Sequence, residues 1–145
     1  MSREEHLATI ESLYEAFGRG DVEAILAHVA DDVDWAADAR SDDAPWYGRR
    51  TSKDEVARFF GDIAGAIQVL EFTPVALAAN DDAVFAFIRF SYRGLESGRE
   101  ATVNLHHYFR FRDGKIAYYR GSEDTALTAD TLSDSRSRVQ TAASV

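Results

Sequence analysis

His107 is the residue whose type and setting carry the most chemistry. In the segment from Thr102 to Arg112, alternation puts Val103, Leu105, His107, Phe109 and Phe111 on one face. Asn104, His106, Tyr108 and Arg110 fall on the other. An imidazole in an otherwise apolar row needs a hydrogen-bond partner. Two explanations stand open: a ligand-facing pocket, where the ring serves proton transfer, or a core histidine bonded to a carbonyl or an acid. His106 cannot share a metal ion with it, because adjacent strand residues point to opposite faces.

Asp124 is the acid that even spacing from Ile116 through Tyr118, Arg120 and Ser122 would bring onto one row. Asp124-Thr125 also reads as a helix start with Asp124 as its cap. Arg120, in that row, is placed to hold Asp124 ionised or to pair with Asp34 or Asp38. Tyr14 offers a phenol if its side of a helix faces the same pocket. Trp35 and Phe59 are among the aromatics from which a pocket lining or a core would be drawn. No spacing of His, Asp and Glu is diagnostic of a metal site, and no metal or cofactor is expected.

These residues need elements to position them. Leu7, Ile10, Leu13, Tyr14 and Phe17 form the stripe of an amphipathic helix over Ser2 to Phe17, ended by Gly18 and Gly20. Asp21 is placed to cap a second helix with Val22, Ile25, Leu26 and Val29 inward, broken by Asp31-Asp32. Val33 to Ala36 alternates as a short strand, and a polar loop follows from Asp38 to Arg50. Ser52 and Glu55 form a capping-box pattern for a third helix burying Val56, Phe59, Phe60 and Ile63. Strands are expected over Val69 to Leu77, Ala83 to Arg93, Glu100 to Arg112 and Ile116 to Gly121, with Asp113-Gly114 as a hairpin turn. Helices followed by an antiparallel meander give an α+β domain over residues 1–132. Residues 133–145 are small and polar and read as a flexible tail.

Composition limits the function. The chain has 145 residues, one domain's length, and is 46% hydrophobic and 28% charged. Its net charge of −9 and its lack of a basic run argue against nucleic acid as a partner. No apolar run approaches a membrane span and no signal peptide opens the chain, so a soluble, cytoplasmic protein is expected. With no cysteine there is neither a disulfide nor a thiolate nucleophile.

Four stretches, in this order, resemble the SnoaL-like branch of the ketosteroid isomerase and nuclear transport factor 2-like superfamily. They are Tyr14-Glu15-Ala16-Phe17-Gly18-Arg19-Gly20-Asp21, Asp31-Asp32-Val33-Asp34-Trp35, the segment from His107 to Ile116, and Arg120 through Asp124-Thr125. The resemblance implies a cone-shaped curved antiparallel sheet wrapped by three N-terminal helices, a cystatin-like α+β barrel with a deep apolar pocket. In the isomerases' register the tyrosine donor falls at Leu13, beside Tyr14. The base falls at Ala37, beside Asp38, and the second oxyanion donor at His107. Polyketide-cyclase relatives use a late Asp assisted by a His, types matched by Asp124 and His107. The Arg-x-Asp pair of epoxide-hydrolase relatives meets Arg89-Phe90-Ser91, which lacks the acid.

The expected function is a cofactor-free acid/base enzyme of isomerase, cyclase or hydratase/hydrolase type acting on a small, largely apolar molecule. His107 and Asp124 are its catalytic candidates, with Tyr14, Trp35, Asp38, Phe59 and Arg120 toward substrate. The alternative is a non-catalytic dimeric module of the same fold that binds a ligand or a protein. A homodimer through the open sheet face is expected, from Asn104, His106, Tyr108 and Arg110 with Tyr92 and Tyr119 nearby.

Overall fold

A computed structural model describes residues 2–133. The tail expected over 133–145 thus lies, beyond Ser133, outside the described residues. Helix α1 (Arg3–Arg19) starts at Ser2, whose hydroxyl accepts from Glu5 N–H at 3.2 Å, and ends at Gly20 in the left-handed region at φ 69°. Its buried face includes Ile10, Leu13 and Tyr14. Helix α2 (Val22–Leu26) is capped by Asp21 as expected but is a single short turn. Val29 opens strand β1 (Val29–Ala37), so Asp31 and Asp32 lie inside a strand, exposed, while Val33 and Trp35 point inward.

The segment expected as loop contains a short strand, β2 (Gly48–Arg50), which pairs with the end of β1. Helix α3 (Lys53–Ala66) is capped by Ser52, and Glu55 reaches back to the N–H and hydroxyl of Thr51. Then come β3 (Ile67–Ala79), β4 (Ala83–Gly94), β5 (Glu100–Arg112) and β6 (Lys115–Ser122), followed by α4 (Thr125–Leu132). Asp113 and Gly114 both adopt positive φ, 51° and 78°, between the paired Arg112 and Lys115. That is the two-residue turn whose twist suits a hairpin.

The six strands form one unclosed sheet in the order β2-β1-β6-β5-β4-β3, antiparallel throughout except for the parallel pair β1–β6. Its fold is α+β, a curved sheet packed with helices on its inner face. Irregularities in pairing bend it: two interrupt β3 against β4, and one lies between β5 and β6. The last has the greatest consequence. Phe111 pairs with Ile116 and Arg110 with Tyr118, so Ala117 is an extra residue without a partner on β5. Alternation is thereby shifted by one, and beyond the bulge the inward row is Tyr119 and Gly121. Tyr118, Arg120 and Ser122 turn outward. Tyr92 and Tyr119, expected near the open face, are instead buried in the core.

Candidate functional site

The inner face of the sheet, α1 and α3 enclose a cavity of about 80 Å³. Its walls are overwhelmingly apolar, drawn from Leu13, Phe17, Trp35, Phe59, Phe72 and Phe109 among others. Only a few polar groups interrupt them, and they sit at two poles.

At one pole His107 comes inward from β5 and meets Tyr14 from α1. Tyr14 Oη and His107 Nδ1 are 2.8 Å apart, sharing one hydrogen bond across 93 positions of sequence. Burial is the main reason the His107 pKa is pushed down to about 3, and the nearby His106 adds to it. Burial likewise pushes the Tyr14 phenol far above its ordinary value. The pair is therefore neutral, one donor facing one acceptor. Tyr119 stands next to it, its ring 5.2 Å from the imidazole, and burial also raises its phenol. Gly121 makes room: a Cβ there would lie 2.1 Å from Tyr119 Oη and 3.4 Å from His107 Cδ2.

At the other pole is Glu123. One of its oxygens accepts from Tyr47 Oη at 3.1 Å, the other from Thr128 Oγ1 at 3.0 Å. Thr128 in turn accepts from Tyr92 Oη at 2.9 Å. Burial raises the Glu123 carboxyl above the usual range, while hydrogen bonds from Thr128, Tyr47 and Trp46 pull the other way. None of the ion pairs among the described residues includes Glu123.

The residues singled out in sequence separate into two groups. His107, Tyr14, Trp35 and Phe59 all line the cavity. Asp124 does not: it is exposed, and its carboxylate caps α4 by accepting from Leu127 N–H at 3.1 Å. Arg120 and Asp38 belong to the outer face. Arg120 bonds the Asp34 carboxylate at 2.9 Å and its carbonyl at 3.1 Å, with exposed Asp38 at 3.9 Å. For Arg120 the Ala117 bulge is the reason, because it moves the even-numbered residues of β6 out and aims the odd ones in. Continuing that odd row past Gly121 reaches Glu123 rather than Asp124. Sequence alternation alone pointed to the wrong neighbour, and no local signal in Lys115 to Ile116 marks the bulge.

On the far side of β5 and β6 lies a shallow groove of about 420 Å³, bordered by Leu77, Phe85, Phe87, His106, Tyr108 and Arg120. His107, Gly121 and Ser122 are common to both spaces, so the two strands are the wall between them. No group of His, Asp and Glu among the described residues could hold a metal ion. No helix among them is long and apolar enough to cross a membrane.

An apolar cavity with a few convergent polar groups is the usual form of a small-molecule site. The chain belongs to the SnoaL-like domain family, whose model matches residues 10–119. Its fold is shared with an NTF2-like protein of unknown function from Burkholderia pseudomallei K96243. The two are 25% identical, with a TM-score of 0.83 over 92% of this chain and 99% of that one. An NTF2-like protein from Burkholderia xenovorans LB400 is similar at 20% identity and TM-score 0.82, over 92% and 99% of the two chains. An LEH-like epoxide hydrolase from M. tuberculosis is similar at 16% identity and TM-score 0.70, over 90% of each. No functionally curated protein matches the chain in sequence.

Proposed function

We propose that the chain is a cofactor-free acid/base enzyme acting on a small, largely apolar molecule in the cavity, by isomerase, cyclase or hydratase/hydrolase chemistry. The observation that carries this reading is Glu123, a carboxyl with no cation partner among the described residues, lining a largely apolar cavity. Burial raises its pKa above the ordinary carboxyl range, the direction that favours a carboxyl able to donate as well as accept a proton. His107 is held neutral, so its role is to orient Tyr14 and polarise the substrate by hydrogen bonding. Trp35 and Phe59 supply apolar walls.

Incubation with small ketones and epoxides, followed by NMR for exchange of acidic protons in deuterated water and for ring opening, tests this. Turnover lost in Glu123→Gln is the expected result. A Glu123→Gln protein as active as the parent, or a parent inert toward the whole panel, overturns it.

A second reading, the non-catalytic module, is favoured by one observation: the only imidazole in the cavity does not titrate near neutral pH. Under either reading we also propose a cytoplasmic homodimer. For the dimer the support is the outer groove, where Phe85 and Phe87 remain 49% and 36% exposed beside Tyr108 and Arg120. Sedimentation finding only monomer at micromolar concentration would remove that proposal.

A further inference from the structure

Among the described residues, the walls of the cavity are largely aromatic. Ten of its nineteen lining residues are Phe, Tyr or Trp. No Lys or Arg is among them, and His107 adds no opposing charge because burial keeps it neutral. Glu123 is thus the one group in the lining that can carry a full charge, and that charge is negative. Ionised carboxylates have about four acceptor sites. Tyr47, Thr128 and Trp46 engage three.

A half-buried carboxylate with no cation partner among the described residues is held by neutral donors only, and a ligand that brings a cation would offset its remaining desolvation cost. Aromatic faces attract the same kind of group, because the ring quadrupole is negative over its face. The protein's net charge of −9 raises the local concentration of cations around it as well. We propose that the cavity takes a small apolar molecule bearing a protonated amine, with its ammonium group against the Glu123 carboxylate and the surrounding aromatic faces. This rests on reading the cavity as the ligand site and names the class of ligand that fits it. The cavity's about 80 Å³ favours a short alkyl body.

The test compares isobutylamine with isobutanol, which has the same carbon skeleton and a neutral head. Each is titrated into the isotope-labelled protein near neutral pH, and binding is read from the amide NMR signals of Tyr14, Phe59 and Gly121. Isobutylamine is expected to bind at least about tenfold more tightly than isobutanol. Glu123→Gln should abolish that preference by weakening isobutylamine far more than isobutanol. Asp124→Asn, a neighbouring acid outside the cavity whose capping role Asn can keep, should leave the preference intact. If isobutanol binds the parent protein as tightly as the amine, the amine assignment is overturned while the cavity stands as a ligand site. If neither compound moves those signals, both fail. A preference that survives in Glu123→Gln, or disappears in Asp124→Asn, also overturns the assignment to Glu123. Should Glu123→Gln fail to fold, the comparison in the parent protein still decides.

Discussion

On the inner face of β5, His107 is enclosed by aromatic rings and shares its one hydrogen bond with Tyr14. One residue earlier, on the outer face, His106 is exposed and its ring leans edge-on toward Phe87, 5.3 Å between centroids. Two identical side chains separated by one peptide bond thus have different physics. The inner ring is packed among aromatic rings with a single hydrogen-bond partner, and that desolvation suppresses its charge. The outer ring keeps its water and depends on none. The same contrast repeats across β6, where Tyr119 is buried while Tyr118 lies half-buried beneath the Arg120 guanidinium, 4.2 Å from its ring centroid. What a strand residue can do here is decided by which side of the sheet it faces.

Substitution to phenylalanine breaks the contrast most sharply. His107→Phe leaves the buried Tyr14 hydroxyl without its partner and should cost about 1–3 kcal/mol, roughly 4–12 °C in melting temperature. His106→Phe should stay within about 0.5 kcal/mol of the parent. Adding Tyr14→Phe to His107→Phe removes the stranded hydroxyl and should recover part of the loss, which a double-mutant cycle measures. Equal melting temperatures for the two single variants would contradict the assignment of faces.

Gly121→Ala tests the wall itself. The new methyl would collide with Tyr119 Oη, so a loss of about 1–3 kcal/mol is expected from overpacking. Gly65→Ala, in α3 with nothing within 4 Å of its Cβ position, should instead stabilise by about 0.5–1 kcal/mol. Chemical denaturation of both variants measures the difference.

The pH dependence separates the two poles of the cavity. Between about 3 and the ordinary histidine range the unfolded chain holds a proton on residue 107 that the folded chain does not. Stability contributed by this group therefore rises with pH there and is lost as pH falls, with a slope approaching about 1.4 kcal/mol per pH unit. Glu123 acts in the opposite sense: its raised pKa makes stability fall as pH rises from the ordinary carboxylate range through the raised value. Denaturation midpoints across acid pH should show a shallower acid-side fall in His107→Phe than in the parent.

The smallest effect belongs to the outer face. Asp34 ties β1 to β2 and β6 through Arg49, with both bonds at 3.0 Å, and through Arg120 at 2.9 Å. These guanidinium groups hold its carboxyl below the usual range, so its stabilising effect is lost as pH falls through that lowered value. Asp34→Asn should cost only about 0–1 kcal/mol, and less in high salt, because the network is solvated. A larger, salt-independent loss in thermal melts would show that the outer face is buried against a partner in solution.

The sequence by itself determined everything that depends on local chemistry. Ser2, Asp21 and Ser52 are caps because their side chains satisfy free N–H groups within a few residues. Asp113-Gly114 is a turn because both positions accept positive φ, and alternation over Thr102 to Arg112 placed His107 inward because no irregularity interrupts β5 before Arg110. Only the tertiary structure decided what His107 would meet. Its partner lies 93 positions away on a helix whose docking angle no local pattern encodes. Which acid lines the cavity was likewise a tertiary matter. A single unpaired residue, Ala117, reverses the facing of all that follows on β6, so Glu123 enters the cavity while Asp124 turns away to cap α4. Pairing geometry between two strands fixes such a bulge, and that geometry exists only once the sheet has formed.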